Sequence, residues 1–382
     1  MKTNNLKVIL TSGFAMFSMF FGSGNLTFPV LIGIEAQSSF IFSVLGFILT
    51  GVCLPLIGLL GIMFWEGDKN KYFSKLGKIP SFILTLIMLL LMGPIGIIPR
   101  SASLIHGSFE TLIPSLSIVV FNFFFCILIA ALIWQKNRVI EIIGIYFTPI
   151  KLGSIIGLIV ISLVVANHTL TSGTPALDNI EAGIKAGYQT LDLIASFFFG
   201  SAIYGYIKQK ISAQHPNTPE SELKESIFKC SVKASFIGGG LLSLCYIGFV
   251  ILGAKYAPHL ADITGQKEKF LMVIAKVAMG NYAGIFVAIT LFVSCLATCT
   301  IVASLFSDYL YEDIFKKKIT REIAIVLTMG LSFTVSLLGF EAIYILLGTL
   351  LEWIYPLLMV YAIYMLVTSL MNYNKKNQSA MA

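Results

Sequence analysis

The chain has 382 residues, 57% of them hydrophobic and 12% charged, with a mean hydropathy of +0.88 and a formal net charge of +7. Soluble globular proteins carry about 25% charged residues, so this composition excludes an ordinary soluble domain and predicts an all-α, polytopic membrane protein. The apolar runs are long and continuous, which excludes the short alternating segments of an outer-membrane barrel.

Ten transmembrane helices are predicted, at 8–34, 40–64, 81–105, 114–135, 142–166, 187–208, 229–256, 281–311, 320–339 and 341–370. The first run, after Lys2 and Lys7, is too long for a signal-peptide core and is read as a retained span. Segments 65–80 and 209–228 are polar connections on one side of the membrane. The loops 167–186 and 257–280 lie on the other side, with length enough for short surface helices that act as lids. From Asn372 the tail is polar and is expected to be unstructured.

Located on these spans, nineteen of the 26 lysines and arginines fall on one side, six on the other, and Lys151 lies inside a span. By the positive-inside rule both termini are cytoplasmic. The net charge is therefore a topology signal and calls for no nucleic-acid partner. Six cysteines lie in or beside apolar runs without a CxxC pair, and four histidines are scattered through connecting segments. Neither a disulfide framework nor a zinc site is indicated, and no cofactor is expected.

The first span carries an unusual centre, Phe20-Phe21-Gly22-Ser23-Gly24-Asn25-Leu26-Thr27-Phe28-Pro29. Glycine, asparagine and proline disfavour an uninterrupted helix. Backbone freed at membrane depth is tolerated only where protein or a water-filled cavity receives it. Phe20-Phe21-Gly22-Ser23 recurs as Phe198-Phe199-Gly200-Ser201, 178 residues later. The copies sit at the centres of spans one and six, so an odd number of spans separates them and their surroundings are oppositely oriented. This is the sequence form of a 5+5 inverted repeat with helices 1 and 6 broken. Its units are residues 1–170 and 171–370, with a cytoplasmic tail at 371–382.

The stretch Gly13–Phe17 through Phe21–Pro29 resembles the first span of the bacterial branched-chain amino acid:cation symporters, within the amino-acid–polyamine–organocation superfamily. Gly93–Ala102, Thr190–Ser196 leading into Phe199-Gly200, Ser332–Gly339 and Tyr355-Pro356-Leu357 resemble that family's third, sixth, ninth and tenth spans. The family is usually twelve-spanning, and the chain is expected to stop after a ten-helix core. The resemblance implies the five-plus-five fold of the neurotransmitter:sodium symporters. It also implies import of leucine, isoleucine and valine by cation-coupled alternating access.

A zwitterionic amino acid needs an anion site beside a cation site. The half-helix after Gly24-Asn25 offers unpaired N–H groups to a carboxylate. Carbonyls freed around Phe20–Gly22 and Phe198–Gly200 accept from an ammonium. The candidate substrate residues are Phe21, Gly22, Ser23, Gly24 and Asn25 on span one and Phe198, Phe199, Gly200, Ser201 and Ile203 on span six. Their aromatic and aliphatic side chains suit an aliphatic substrate, with modest preference among leucine, isoleucine and valine.

For coupling, the resemblance implies a sodium ion held by main-chain oxygens of span one, at Ser18 and Phe21, and by span eight at Ser294 and two adjacent hydroxyls. Here those two positions are Ala297 and Thr298, so one hydroxyl is missing. Span five carries Lys151 near the midplane, where the family has an apolar residue. Some sodium-independent members of the superfamily place a span-five lysine ammonium in the sodium position. A buried lysine either exchanges its proton during the cycle or stays as a fixed surrogate ion. The coupling ion is thus H+ or Na+, with sodium the less favoured. Glu352, at similar depth in span ten, is either the partner of Lys151 or a separate proton carrier. Arg100 and Asp192, each outward of a glycine landmark, form a salt bridge that closes the external vestibule, or else snorkel separately.

A channel would show a ring of like charge or a carbonyl filter, and a midplane lysine repels cations. A membrane enzyme would show a catalytic constellation, and no Ser/His/Asp, HExxH or paired-carboxylate set lies near the spans. The remaining alternatives are a sodium-independent transporter or exchanger of different substrate range, and a transporter-like amino-acid sensor. The partners are an amino-acid substrate and the lipid bilayer.

Overall fold

The computed structural model describes residues 2–134, 148–166, 170, 173–263, 265–280 and 283–381, with side chains from Asn5 to Asn372. The expected start of span five at 142–147, with Lys136, Arg138, Glu141 and His168, lies outside the described residues, as do 281–282.

Among the described residues all regular structure is helical. The chain opens with α1 (Lys2–Phe20), stops at Phe21-Gly22 and resumes as α2 (Ser23–Ala36). A 3-10 turn leads into α3 (Phe40–Ile48), and a π turn at Leu49–Cys53 joins it to α4 (Leu54–Phe64). The short α5 (Lys69–Ser74) is N-capped by Asp68, which accepts from the N–H groups of Asn70 and Lys71 at 3.1 and 3.0 Å. Next, α6 (Lys78–Met92) passes through a π turn at Gly93–Ile97 into α7 (Ile98–Glu110), followed by α8 (Ile118–Ile133) and α9 (Thr148–Val165). The remainder is α10 (Ala176–Gln189), α11 (Asp192–Gln214), α12 (Glu220–Leu260), α13 (Phe270–Met279), α14 (Ala283–Tyr309), α15 (Arg321–Ser336) and α16 (Phe340–Met381). The π turns at Leu49–Cys53 and Gly93–Ile97 each run into a proline at the start of the next helix, Pro55 and Pro99. The wider turn absorbs the N–H and the space that each ring denies to a regular helix.

Among the described residues, six continuous helical stretches are long and apolar enough to cross a bilayer, or seven if the bent pair α10–α11 is one span, and two shorter apolar helices are Asn5–Phe20 and Ile118–Ile133.

Two crossings set the arrangement around the first break. Where α2 meets α12, a Cβ on Gly33 would lie 2.1 Å from the Val250 carbonyl oxygen, and one on Gly253 would lie 2.0 Å from that of Val30. Where α3 meets α10, the same holds for Gly46 against Ile180 (2.2 Å) and Gly183 against Ser43 (2.3 Å). Only hydrogen fits between backbones that close, which is how small residues drive helix association in lipid.

The ends of the bundle differ. At a basic end, Lys224 pairs with Glu66 (3.1 Å), Arg321 with Asp308 (2.8 Å), and Lys69 stands 5.3 Å over the Phe198 ring. Burial pushes the Lys69 ammonium below its ordinary value, opposed by the fields of Asp313, Glu312 and Asp308. At the capped end, the 3-10 turn Lys267–Lys269 that leads into α13 is tied to two helices. Lys267 pairs with Glu341 (2.7 Å) and Lys269 with Glu110 (3.1 Å). The loop 257–280 is therefore helical in large part, as its length allowed.

Two expectations are corrected. The sixth span is not broken at Phe198–Ser201, which lies inside continuous α11. The break is at Thr190-Leu191, where the chain bends by 43° and Leu191 is left-handed with φ +64°. Thr190 holds this kink: its hydroxyl donates to the Gly187 carbonyl at 2.8 Å and accepts from the Asp192 N–H at 3.3 Å. Asp192 then opens α11, where a carboxylate suits the helix N-terminus. The α10 half of the bent span lies in the segment expected to be a loop. The tail past Asn372, expected to be unstructured, continues α16 to Met381. Its Asn-Lys-Lys-Asn-Gln run contains no glycine or proline to stop a helix.

Candidate functional site: two helix breaks and their charges

The site begins at Phe21-Gly22. Ser18 and Phe21 lie at the end of α1, and their carbonyls have no helical donor ahead of them. Lys151 on α9 fills that deficit. Its ammonium donates to the Ser18 carbonyl (2.8 Å), the Phe21 carbonyl and the Ser294 carbonyl of α14 (3.1 Å). The Thr298 hydroxyl, one turn beyond Ser294, donates to the same Ser18 and Phe21 oxygens at 3.3 and 3.2 Å. Lys151 is fully buried, 5.5 Å above the Phe21 ring. Five of the six expected ion-coupling residues, Ser18, Phe21, Lys151, Ser294 and Thr298, are thus brought together. The sixth is not: Glu352 is exposed on α16 and borders a cleft with Glu35 and Lys185. Depth along a span says nothing about which face a residue occupies.

Beyond the break, Gly22 donates its N–H to the Asn25 side-chain oxygen at 3.0 Å. The Asn25 amide in turn donates to the Asp192 carboxylate at 2.7 Å and to the Tyr246 hydroxyl. Tyr246 donates to that same carboxylate oxygen at 2.8 Å. Asn25 therefore ties the start of α2 to the start of α11. Phe21 extends the cluster, its ring 6.1 Å from Tyr246 and 6.1 Å from Phe249.

Arg100 on α7 completes the layer. Its guanidinium donates to the Gln189 carbonyl (2.7 Å) and to the Ser23 hydroxyl (3.4 Å), and Ser101 also donates to Ser23 (3.0 Å). It stacks on Phe28 at 5.1 Å. Arg100 and Asp192 are both 1% exposed. The expected salt bridge between them is absent: no N–O contact within 4.0 Å joins the two. Neither residue lies outward of the breaks. With the sixth span broken at 190–191, Asp192 belongs to the break itself.

Above this layer a cleft of about 330 Å³ opens toward the capped end, bordered by Phe28, Glu35, Lys185, Gln189, Tyr344 and Glu352. Tyr344 lies 5.6 Å from the Phe28 ring, on which Arg100 stacks.

Of the span-six candidates, Phe199 comes nearest to the first break, its ring edge-on to Phe20 at 5.1 Å. Phe198 lies under Lys69, and Ser201 donates to the Gly67 carbonyl at 2.5 Å, both toward the basic end. Gly200 gives room to Leu59, and Ile203 is core. Sequence reasoning missed Gln189 and Tyr246 altogether. Thr190-Leu191-Asp192, a capping residue just before an acidic first turn, was a readable signal for the second break.

A family model described as branched-chain amino acid transport protein matches residues 5–382. The chain belongs to that family. It is 28% identical over 355 residues to the branched-chain amino acid permease BrnQ of Corynebacterium glutamicum, covering 92% of this chain and 78% of the relative. It is 29% identical over 336 residues to BrnQ of Bacillus subtilis, covering 84% and 72%. Among solved structures it resembles MhsT in complex with L-phenylalanine (TM-score 0.56, 16% identity, 88% of this chain and 79% of that one). It also resembles Mhp1, a nucleobase-cation-symport-1 family transporter, closed around bromovinylhydantoin (TM-score 0.55, 12% identity, 92% and 77%). These likenesses show the transporter fold. The protein is accordingly a multi-pass membrane transporter of the branched-chain amino acid family, and its activity is transport rather than catalysis.

Proposed function

We propose that this protein moves leucine, isoleucine and valine across the bacterial inner membrane by alternating access. The observation that carries the reading is the meeting of two helix breaks, at Phe21-Gly22 and Thr190-Leu191, in a member of a branched-chain amino acid transport family. The substrate head lies between the start of α2 and the start of α11, where two helix N-termini meet in one layer.

Ten spans in two inverted units, 1–170 and 171–370, fit the packing. Each broken span packs chiefly on the second span of the other unit: α1 and α2 against α12, α10 against α3, and α11 against α4. Exchanged packing of this kind is what an inverted repeat produces. The basic end faces the cytoplasm with both termini, and the capped end and its cleft face outward.

Coupling in this reading is to protons, or absent, rather than to sodium. An ammonium already satisfies the three carbonyls at which a coupling cation is needed, and Ala297 removes one hydroxyl that would assist it. Lys151 then either carries the proton or holds α1 to α14 as a fixed charge.

The test is uptake of labelled leucine into proteoliposomes containing the purified protein. Isoleucine and valine are expected to compete, and alanine and lysine are not. Competition by alanine or lysine as strong as that by valine would overturn the substrate assignment.

A further inference from the structure

Two opposite charges buried in one layer normally join, because a buried charge left unpaired is costly. Arg100 and Asp192 do not join. Arg100 is held by neutral acceptors, the Gln189 carbonyl and the Ser23 hydroxyl. Asp192 is held by neutral donors, Asn25 and Tyr246. A rigid scaffold therefore keeps a cation and an anion apart, one on each side of the first turn of α2.

The surroundings contain unspent hydrogen-bonding capacity. The Gln189 side-chain oxygen is buried without a partner. Gln189 is the last residue of α10, and Tyr355 lies within electrostatic reach of both Arg100 and Asp192. An orphaned buried polar atom at such a place points to a ligand that satisfies it. Access is defined as well, since Phe28 and Gln189, which both touch Arg100, also border the outward cleft.

We propose that Arg100 and Asp192 are the two-point receptor for the substrate's zwitterionic head. Arg100 takes the carboxylate. Its Nη2 lies where a Cβ on Gly24 would come within 2.8 Å, so it and the N-terminal N–H groups of α2 converge on one anion position. Asp192 takes the ammonium, with the Gln189 oxygen as a second acceptor. Side chains thus do work that the breaks' backbone was expected to do alone. This inference rests on the proposed amino-acid substrate and adds which groups recognise it.

The test measures binding of leucine, leucinamide (no carboxylate) and 2-hydroxy-4-methylpentanoate (no ammonium) to the purified full chain. The wild-type protein is expected to bind each analogue about tenfold to a hundredfold more weakly than leucine, the scale of one lost charge-assisted hydrogen bond. Arg100→Gln should erase the preference for leucine over leucinamide and leave the preference over the hydroxy acid. Asp192→Asn should do the reverse. A variant that weakens all three ligands equally shows a merely structural residue and overturns the proposal. Should a neutral variant bind nothing, Arg100→Lys and Asp192→Glu decide: each is expected to keep the wild-type order of the three ligands, and loss of that order overturns it. A wild-type protein that binds no leucine defeats the underlying transport reading, a different failure from wild-type binding with unaltered selectivity in the variants.

Discussion

Replacing Lys151 by alanine removes an ammonium from between three carbonyl oxygens and leaves a gap in their midst. Each buried acceptor left without a donor costs about 1–3 kcal/mol. The Thr298 hydroxyl still reaches the Ser18 and Phe21 oxygens, so it offsets part of this. Against the loss stands the relief of no longer burying an ammonium, which is worth several kcal/mol. The two contributions oppose each other at similar size, so the stability of Lys151→Ala alone decides nothing. Its ion response does. The carbonyls of Ser18, Phe21 and Ser294 with the Thr298 hydroxyl make a four-oxygen site of the kind that hard cations favour. Sodium at ten to a hundred times its Kd would stabilise the variant by about 1.4–2.7 kcal/mol. A thermal-unfolding assay in sodium against choline chloride reads this directly. The variant's midpoint should rise in sodium and the wild-type midpoint should not. A wild-type midpoint that rises with sodium, or a variant indifferent to it, would refute the view that the Lys151 ammonium stands at a cation position.

Other substitutions follow from the same geometry. Gly24→Ala places a methyl group 2.8 Å from Arg100 and 3.1 Å from the Gln189 carbonyl, and should weaken leucine binding by more than about tenfold while the protein still folds. Gly253→Ala drives α2 and α12 apart at a 2.0 Å contact with backbone, and should cost at least about 1–3 kcal/mol, seen as a lower thermal midpoint. Ser201→Ala loses only its bond to the Gly67 carbonyl at the basic end, so leucine affinity should stay within about twofold while transport rate changes. Lys267→Gln breaks the partly buried tie to Glu341 and should raise hydrogen exchange across residues 267–279, with unchanged exchange showing that this tie does not hold the segment.

The first break was legible because Gly22, Gly24 and Asn25 are poor helix interior residues, although Pro29 proved to sit inside α2 without marking the break. Lys151 was legible because a lysine amid apolar residues must find acceptors, and helix ends supply them. The second break was misplaced because identical letters do not impose identical backbone. Phe20–Ser23 ends a helix, whereas Phe198–Ser201 packs within one, where a single glycine costs only about 1 kcal/mol and makes room for Leu59. That error moved Asp192 outward on paper, away from the break at which it sits. Glu352 was placed beside Lys151 because helix depth could be counted from the sequence but the buried face of α16 could not.

The central claim is transport of a branched-chain amino acid without sodium coupling. Labelled-leucine uptake into proteoliposomes, with sodium and pH gradients imposed independently, tests it most directly. Uptake should be unchanged when a sodium gradient is added or removed, and any accumulation should follow the pH gradient. Accumulation that requires a sodium gradient would contradict it.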